Sequence, residues 1–285
     1  MPADPRSPGR RGDAIVVTGA TSGIGKETAK RLAATDSPVV LHGRDEGRCL
    51  AALDEVVAAT GNRRCGIAVA DFSSLAAVRR LAEELSGRFE GIGVLVDNAG
   101  LYSGERVVTR DGIELTFQVN QVAPFLLTCL LLDRLKTAAP SRIVVVASVA
   151  HKSAHVDLSR LPDEVRGRTR YQPYQAYALS KFANVVLALE LAERLRGTGV
   201  TANALHPGVV STKLLHAGFP YVGGMPPGKA ADAPFRLAAS PELEGVTGEY
   251  FERMRRARPA RAARRADVRE RFWSISEELA GSLRD

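Results

Sequence analysis

The chain has 285 residues, 45% of them hydrophobic, with a formal net charge of +7 and three cysteines. That length buries a substantial core and commonly forms one α/β unit. No apolar stretch approaches the roughly 18 residues of a membrane span; the longest, Pro124 to Leu132, is too short, and Cys49, Cys65 and Cys129 have neither metal nor redox spacing.

Met1 to Gly12 is rich in Pro, Arg and Gly and lacks the apolar segment of a signal peptide. It is expected to be a disordered basic arm, and the protein is expected to be cytoplasmic. Ala14-Ile15-Val16-Val17 reads as a buried parallel strand. It leads into Thr18-Gly19-Ala20-Thr21-Ser22-Gly23-Ile24-Gly25 and then a helical Lys26 to Leu32. Such a strand, turn and helix start offer backbone N–H groups and a helix dipole to a phosphate, and glycines permit close approach. Three glycines alone read equally as a flexible turn; the flanking strand and helix favour the anion site. The spacing is Gly-x-x-x-Gly-x-Gly, not the common Gly-x-Gly-x-x-Gly.

Downstream, apolar runs alternate with amphipathic ones. Strands are predicted at Val39–Leu41, Gly66–Ala70, Val94–Val96, Arg142–Ala147, Val200–Leu205 and Gly248–Phe251. Helices are predicted at Glu46–Ala59, Leu75–Leu85, Gly112–Lys136 and Tyr177–Arg196. This is the pattern of a parallel sheet covered on both faces: a doubly wound α/β domain with a mostly parallel seven-stranded sheet. The expected layout is the arm over 1–12, one catalytic domain over 13–252, and an arginine-rich extension over 253–285 packing on it.

Tyr177 and Lys181 stand four residues apart on a predicted helix, hence on one face. An ammonium beside a phenol favours its ionised form, lowering a pKa near about 10. A phenol so tuned exchanges protons with an alcohol or carbonyl oxygen near neutral pH. Tyr171 and Tyr174 have Gln175 and Ala178 four residues on, so neither pairs with a lysine. Tyr-x-x-x-Lys alone is common on surface helices; the motifs upstream give it weight.

Thr18-Gly19-x-x-x-Gly23-Ile24-Gly25, Asn98-Ala99-Gly100, Asn120, Ser148, Tyr177-x-x-x-Lys181 and Pro207-Gly208 occur in order. Together they resemble the short-chain dehydrogenase/reductase family over roughly residues 13 to 252. Ala150-His151, Leu205-His206-Pro207-Gly208-Val209, Ser240 to Phe251 and Phe272 to Leu279 are most similar to its retinol dehydrogenase-like branch. The resemblance implies a Rossmann fold and reversible hydride transfer between NADP(H) and a carbonyl or alcohol. It implies Tyr177 as acid/base and Lys181 as its tuner and ribose contact. Ser148 would bind the substrate oxygen, and Asn120 a water through its backbone. The cofactor positions it implies are Gly19, Thr21, Ser22, Gly23, Ile24, Gly25, Arg44, Asp71, Phe72, Asn98, Ala99, Gly100, Tyr177, Lys181, Pro207, Gly208, Val210 and Thr212. Asp97 departs from the asparagine many members carry there.

After the second strand, Arg44 suits the 2′-phosphate of NADP, with Lys26 adding charge nearby, while Asp45 keeps NAD open. Asp71 meets adenine in the family and reads equally as a helix N-cap. A basic loop over 150–173 and an apolar lid containing Leu214, Leu215, Phe219, Pro220, Tyr221, Val222 and Met225 suggest a lipophilic substrate. His151 and His155 have no third partner at ligand spacing, so no metal is expected. Residues 253–271 hold nine arginines against Asp267 and Glu270. Such a run can bind nucleic acid or anionic membranes; a solvated tail docking through Phe272, Trp273 and Leu279 is the expected reading, with no nucleic-acid partner. The family often pairs through its two long helices, so a homodimer or tetramer is expected. A non-catalytic dinucleotide-binding scaffold on the same fold is the alternative.

Overall fold

In the computed structural model, residues 13–219 and 221–281 are described; the expected N-terminal arm and Pro220 of the lid lie outside them. The order is β1 (Ala14–Val17), α1 (Gly23–Ala33), β2 (Val39–Gly43), α2 (Glu46–Thr60), β3 (Gly66–Val69), α3 (Leu75–Arg88) and β4 (Ile92–Asp97). Next come α4 (Leu115–Phe117), α5 (Ala123–Leu130), α6 (Leu132–Thr137), β5 (Ser141–Val146), α7 (Leu161–Glu164), α8 (Pro173–Arg194) and β6 (Val200–His206). The chain ends with α9 (Lys213–Gly218), α10 (Pro227–Ala230), α11 (Asp232–Ala239), β7 (Tyr250–Glu252), β8 (Arg255–Ala257) and α12 (Ala266–Ala280).

The sheet order is β3-β2-β1-β4-β5-β6-β7-β8, parallel except for β8. Its order reverses between β1 and β4, so the loops after these two strands diverge and open a crevice at their carboxyl ends. β1 is buried at every position, as a strand covered on both faces must be. One apolar layer holds Phe117, Phe125, Phe182 and Phe272; the other holds Leu32, Val56, Leu237 and Phe251.

Two differences from the predicted elements matter. The sheet has an eighth strand, β8, within the segment expected to be extension, pairing antiparallel with β7. Its Arg255-Arg256-Ala257 lacks apolar alternation because both arginines are exposed. The long helix predicted over 112–136 is broken, with a π-helical turn at Gln118–Val122 and a second break at Leu131. Pro124, four residues after Asn120, has no N–H for the Asn120 carbonyl, which accounts for the widening there.

α12 lies against α5 and α8, the helices expected to pair between copies. Trp273 meets Phe125 edge-on at 4.9 Å, Phe272 packs on Phe182 at 5.3 Å, and Arg194 lies over the Trp273 ring at 4.1 Å. Glu190 holds Arg269 at 3.0 Å and Arg194 at 2.8 Å. Among the described residues no helix is long and apolar enough to cross a membrane.

Candidate active site

A cavity of about 940 Å³ opens at the carboxyl ends of the strands, lined by the β1–α1 turn and by the segments after β2, β3, β4, β5 and β6. All the site residues expected from sequence line it except Asn120.

The glycine turn is built by backbone packing. Gly19 (φ +64°) takes a left-handed conformation, and a Cβ on it would stand 2.8 Å from Ala99 Cα. A Cβ on Gly25 would lie 2.4 Å from both Asn98 Nδ2 and the Gly19 carbonyl oxygen. Asn98 fixes this turn: its Nδ2 donates to Thr18 O at 2.8 Å and Gly19 O at 3.2 Å. The Thr18 hydroxyl accepts from Asn98 N at 2.9 Å and Ala99 N at 3.0 Å. Ser22, at the N-cap of α1, makes no side-chain capping bond, so the helix start faces the cavity without a side-chain partner of its own. Those are the features a dinucleotide pyrophosphate needs.

His42 stands near the carboxyl end of β2. Its Nε2 bonds Ala70 O at 3.0 Å, Gly19 N donates to its Nδ1 at 3.4 Å, and its ring stacks on Phe72 at 4.4 Å. Burial drives its pKa down to about 4, so it is neutral and joins the turn to the segment after β3. Asp45 spends its carboxylate on Arg48 N, capping α2 at 2.8 Å, whereas Arg44 is exposed and lines the cavity. Lys26 pairs with Glu55 on α2. Asp71 bonds Ser73 N at 2.9 Å, and Ser74, not Asp71, is the N-cap of α3.

On the other wall, Ser148 stands two residues past β5, and its Oγ accepts from Ala150 N at 3.2 Å. Tyr177 and Lys181 rise from α8, both buried. Lys181 Nζ donates to Val146 O at 3.0 Å and stands 5.9 Å from the Tyr177 ring centre. Burial pushes the Tyr177 phenol up to about 12, with a Ser148 hydrogen bond opposing it. Burial likewise drives Lys181 down to about 8. The expected lowering of the phenol by Lys181 does not appear: desolvation raises it, and the opposing cause is the Ser148 bond. Asn120 reaches the site through its side chain: Oδ1 accepts from Leu101 N at 2.8 Å, while Nδ2 donates to Leu101 O and Ser180 Oγ, each at 3.0 Å. It holds the chain just past Gly100.

Beside Tyr177 stands an aromatic cluster of which the sequence reading had only Phe219. Tyr102 lies 5.8 Å from Tyr177 and 5.6 Å from Phe219, and Tyr174 lies 6.0 Å from Phe219, ring centre to ring centre. No periodic pattern marks Tyr102, which sits in the irregular segment after β4.

The family model described as short chain dehydrogenase matches residues 13–159. Human retinol dehydrogenase 13 is 38% identical over 285 residues, covering 95% of this chain and 85% of its own length. Dehydrogenase/reductase SDR family member 13 of Bos taurus is 40% identical over 282 residues, covering 95% of this chain and 74% of its own. A solved Mycobacterium paratuberculosis structure aligns with a TM-score of 0.78 at 28% identity, covering 98% of this chain and 96% of that one. Pseudomonas aeruginosa RhlG, solved as an NADP active-site complex, aligns with a TM-score of 0.69 at 25% identity, covering 87% and 96%. Fold, cleft and relatives define an NAD(P)-dependent oxidoreductase. The chain belongs to the short-chain dehydrogenase family, in its retinol dehydrogenase-like branch.

Proposed function

We propose that the enzyme interconverts a lipophilic aldehyde or ketone and its alcohol with NADP(H), using Tyr177 as the acid/base. One observation carries this reading: Ser148, Tyr177 and Lys181 share a cleft with a glycine cradle at one end and an aromatic wall at the other. The cradle fits a dinucleotide, because side-chain volume is absent where a pyrophosphate must approach. Gly19, Thr21, Ser22, Gly23, Ile24 and Gly25 would hold the phosphates, and Asp71 and Phe72 would border the adenine. Asn98, Ala99, Gly100, Pro207, Gly208, Val210 and Thr212 would surround the other half. When bound, the nicotinamide supplies the hydride chemistry.

Arg44 supports the preference for NADP(H), since it is free at the cavity rim while Asp45 is committed to α2. The NADP named for RhlG agrees with this. The retinol named for the relatives agrees with an apolar substrate, as do Leu214, Leu215, Phe219 and Val222 in the cavity wall.

Tyr177 keeps its proton at neutral pH, as its raised pKa of about 12 requires, and so serves as proton donor to a carbonyl oxygen. Ser148 Oγ accepts from Ala150 N and is within hydrogen-bond reach of the Tyr177 phenol, so the two hydroxyls would hold that oxygen together. Lys181 is anchored on Val146 O, and Asn120 would keep a water beside it through its backbone carbonyl, to which Pro124 can donate no N–H. Alcohol oxidation needs deprotonated Tyr177, so it should accelerate with rising pH while reduction slows at the alkaline end.

Titration with NADPH and NADH, followed by a screen of hydrophobic aldehydes and alcohols, tests the reading. Tighter NADPH binding with turnover is expected. Binding of neither dinucleotide would leave a scaffold rather than an enzyme.

A further inference from the structure

The His151 ring is fully buried and used at both nitrogens. Nε2 accepts from Ala260 N–H at 3.1 Å, and Nδ1 lies 2.7 Å from Ser148 O. Burial lowers its pKa, so the ring is neutral. A neutral imidazole has one N–H. Because Nε2 accepts, the proton sits on Nδ1 and is donated to the Ser148 carbonyl. That carbonyl also accepts from His151 N at 3.1 Å. The Ser148 peptide is thus held on both lone pairs, in an extended conformation with φ −152° and ψ 154°.

The partner that fixes this tautomer, Ala260, belongs to the arginine-rich segment. The 3₁₀ turn Val149–Ser153, directly after Ser148, is tied to that end of the chain twice more. Lys152 pairs with Glu252 of β7, and the His151 ring meets Tyr250 edge-on at 4.8 Å. These residues are distant in sequence and join at the turn that carries Ser148.

We infer that His151 is a positioning residue for the reaction, with Ala260 setting its tautomer so that its Nδ1–H aims Ser148 at the substrate oxygen. The C-terminal segment is thereby part of what holds the catalytic geometry. This rests on the role proposed above for Ser148. A buried histidine that merely fills space predicts something different, and substitutions at this one residue separate the two.

In asparagine the amide nitrogen occupies the place of Nδ1, so His151→Asn keeps the donor to Ser148 and loses the Ala260 contact. In glutamine the amide reaches the place of Nε2, so His151→Gln keeps the Ala260 contact and loses the donor. The expected result is kcat within about threefold of wild type for H151N and at least about tenfold lower for H151Q. The dissociation constant for NADPH and the Tm of the two variants should match. Ala260→Pro offers a second route, since φ at Ala260 is −51°, which proline accepts, and proline removes the N–H. It should lower kcat several-fold with NADPH affinity unchanged.

The inference is overturned if H151Q turns over as fast as H151N. It is equally overturned if kcat, NADPH affinity and Tm fall together in both. Ser148→Ala and Tyr177→Phe run alongside. If those two keep wild-type turnover, the proposed chemistry fails and takes this inference with it. If they lose turnover and the His151 series is flat, only the positioning role fails.

Discussion

At the β1–α1 turn, backbone packs against backbone, and a single added methyl at Gly25 would meet atoms 2.4 Å away. Across the same cleft, the wall around Tyr102, Tyr174 and Phe219 is made of rings 5.6 to 6.0 Å apart, with Tyr221 of the lid 99% exposed. The first surface tolerates one shape, as a cofactor shared by many enzymes requires. The second leaves side chains to define what enters. On the proposed reading, rigidity belongs to the side that would bind the common ligand, and adaptability to the side that would meet the particular one.

Tyr177→Phe acts where the two surfaces meet and should have the largest effect. Turnover should fall by roughly 10² to 10⁴, with NADPH affinity unchanged by fluorescence titration. Gly25→Ala attacks the rigid side. It should cost about 1–3 kcal/mol of stability by thermal unfolding, and NADPH binding should weaken by about tenfold or more. Arg44→Ala tests the rim, with NADPH binding weakened by about 10- to 100-fold, as loss of a charged hydrogen bond implies, and NADH binding unmoved. Comparable weakening of both dinucleotides would remove Arg44 as the phosphate reader.

Asp97 closes β4 between the two surfaces, buried, with Thr128 donating to Oδ2 at 2.9 Å and Oδ1 without a partner. Burial raises its pKa from 3.8 to about 7. The folded chain then binds this proton more tightly than the unfolded one, so stability falls as pH rises from 3.8 to about 7. Asp97→Asn should raise the Tm at pH 8 and change it little at pH 4. The smallest effect is expected on the adaptable side. Phe219→Ala should raise KM for bulky apolar substrates by a few-fold, about 1 kcal/mol, and leave NADPH affinity alone.

What could be read from sequence follows the same division. Gly19, Gly23 and Gly25 are visible because sterics allow few substitutes, and Ser148, Tyr177 and Lys181 because the chemistry proposed for them fixes type and spacing. Tyr102 was illegible since its meaning lies in rings from α8 and the segment after α9. Lys26 was read as cofactor charge because one sequence does not show Glu55 facing it from α2. Of the two readings of Asp71, adenine contact and N-cap, the N-cap falls three residues early for the same reason: the competing cap, Ser74, is equally good locally. The break at Gln118–Val122 was foreshadowed by Pro124, which the apolar pattern masked. β8 was missed because edge strands need not alternate.

That edge strand changes how the arginine-rich segment should be handled. Arg255 and Arg256 register against Glu252 and Phe251, so β8 occupies the hydrogen-bonding edge that β7 would otherwise present to solvent. Exposed edges of that kind recruit strands from other molecules, and charged residues on the outermost strand discourage it. A chain cut after Glu252 would bare β7 and also strip α12 from Phe125 and Phe182. Such a truncation would aggregate, and its failure to bind a polyanion would say nothing about the arginines. Charge reversal on Arg255 and Arg256 in the full-length chain is the cleaner probe, because it leaves the covering of the β7 edge in place.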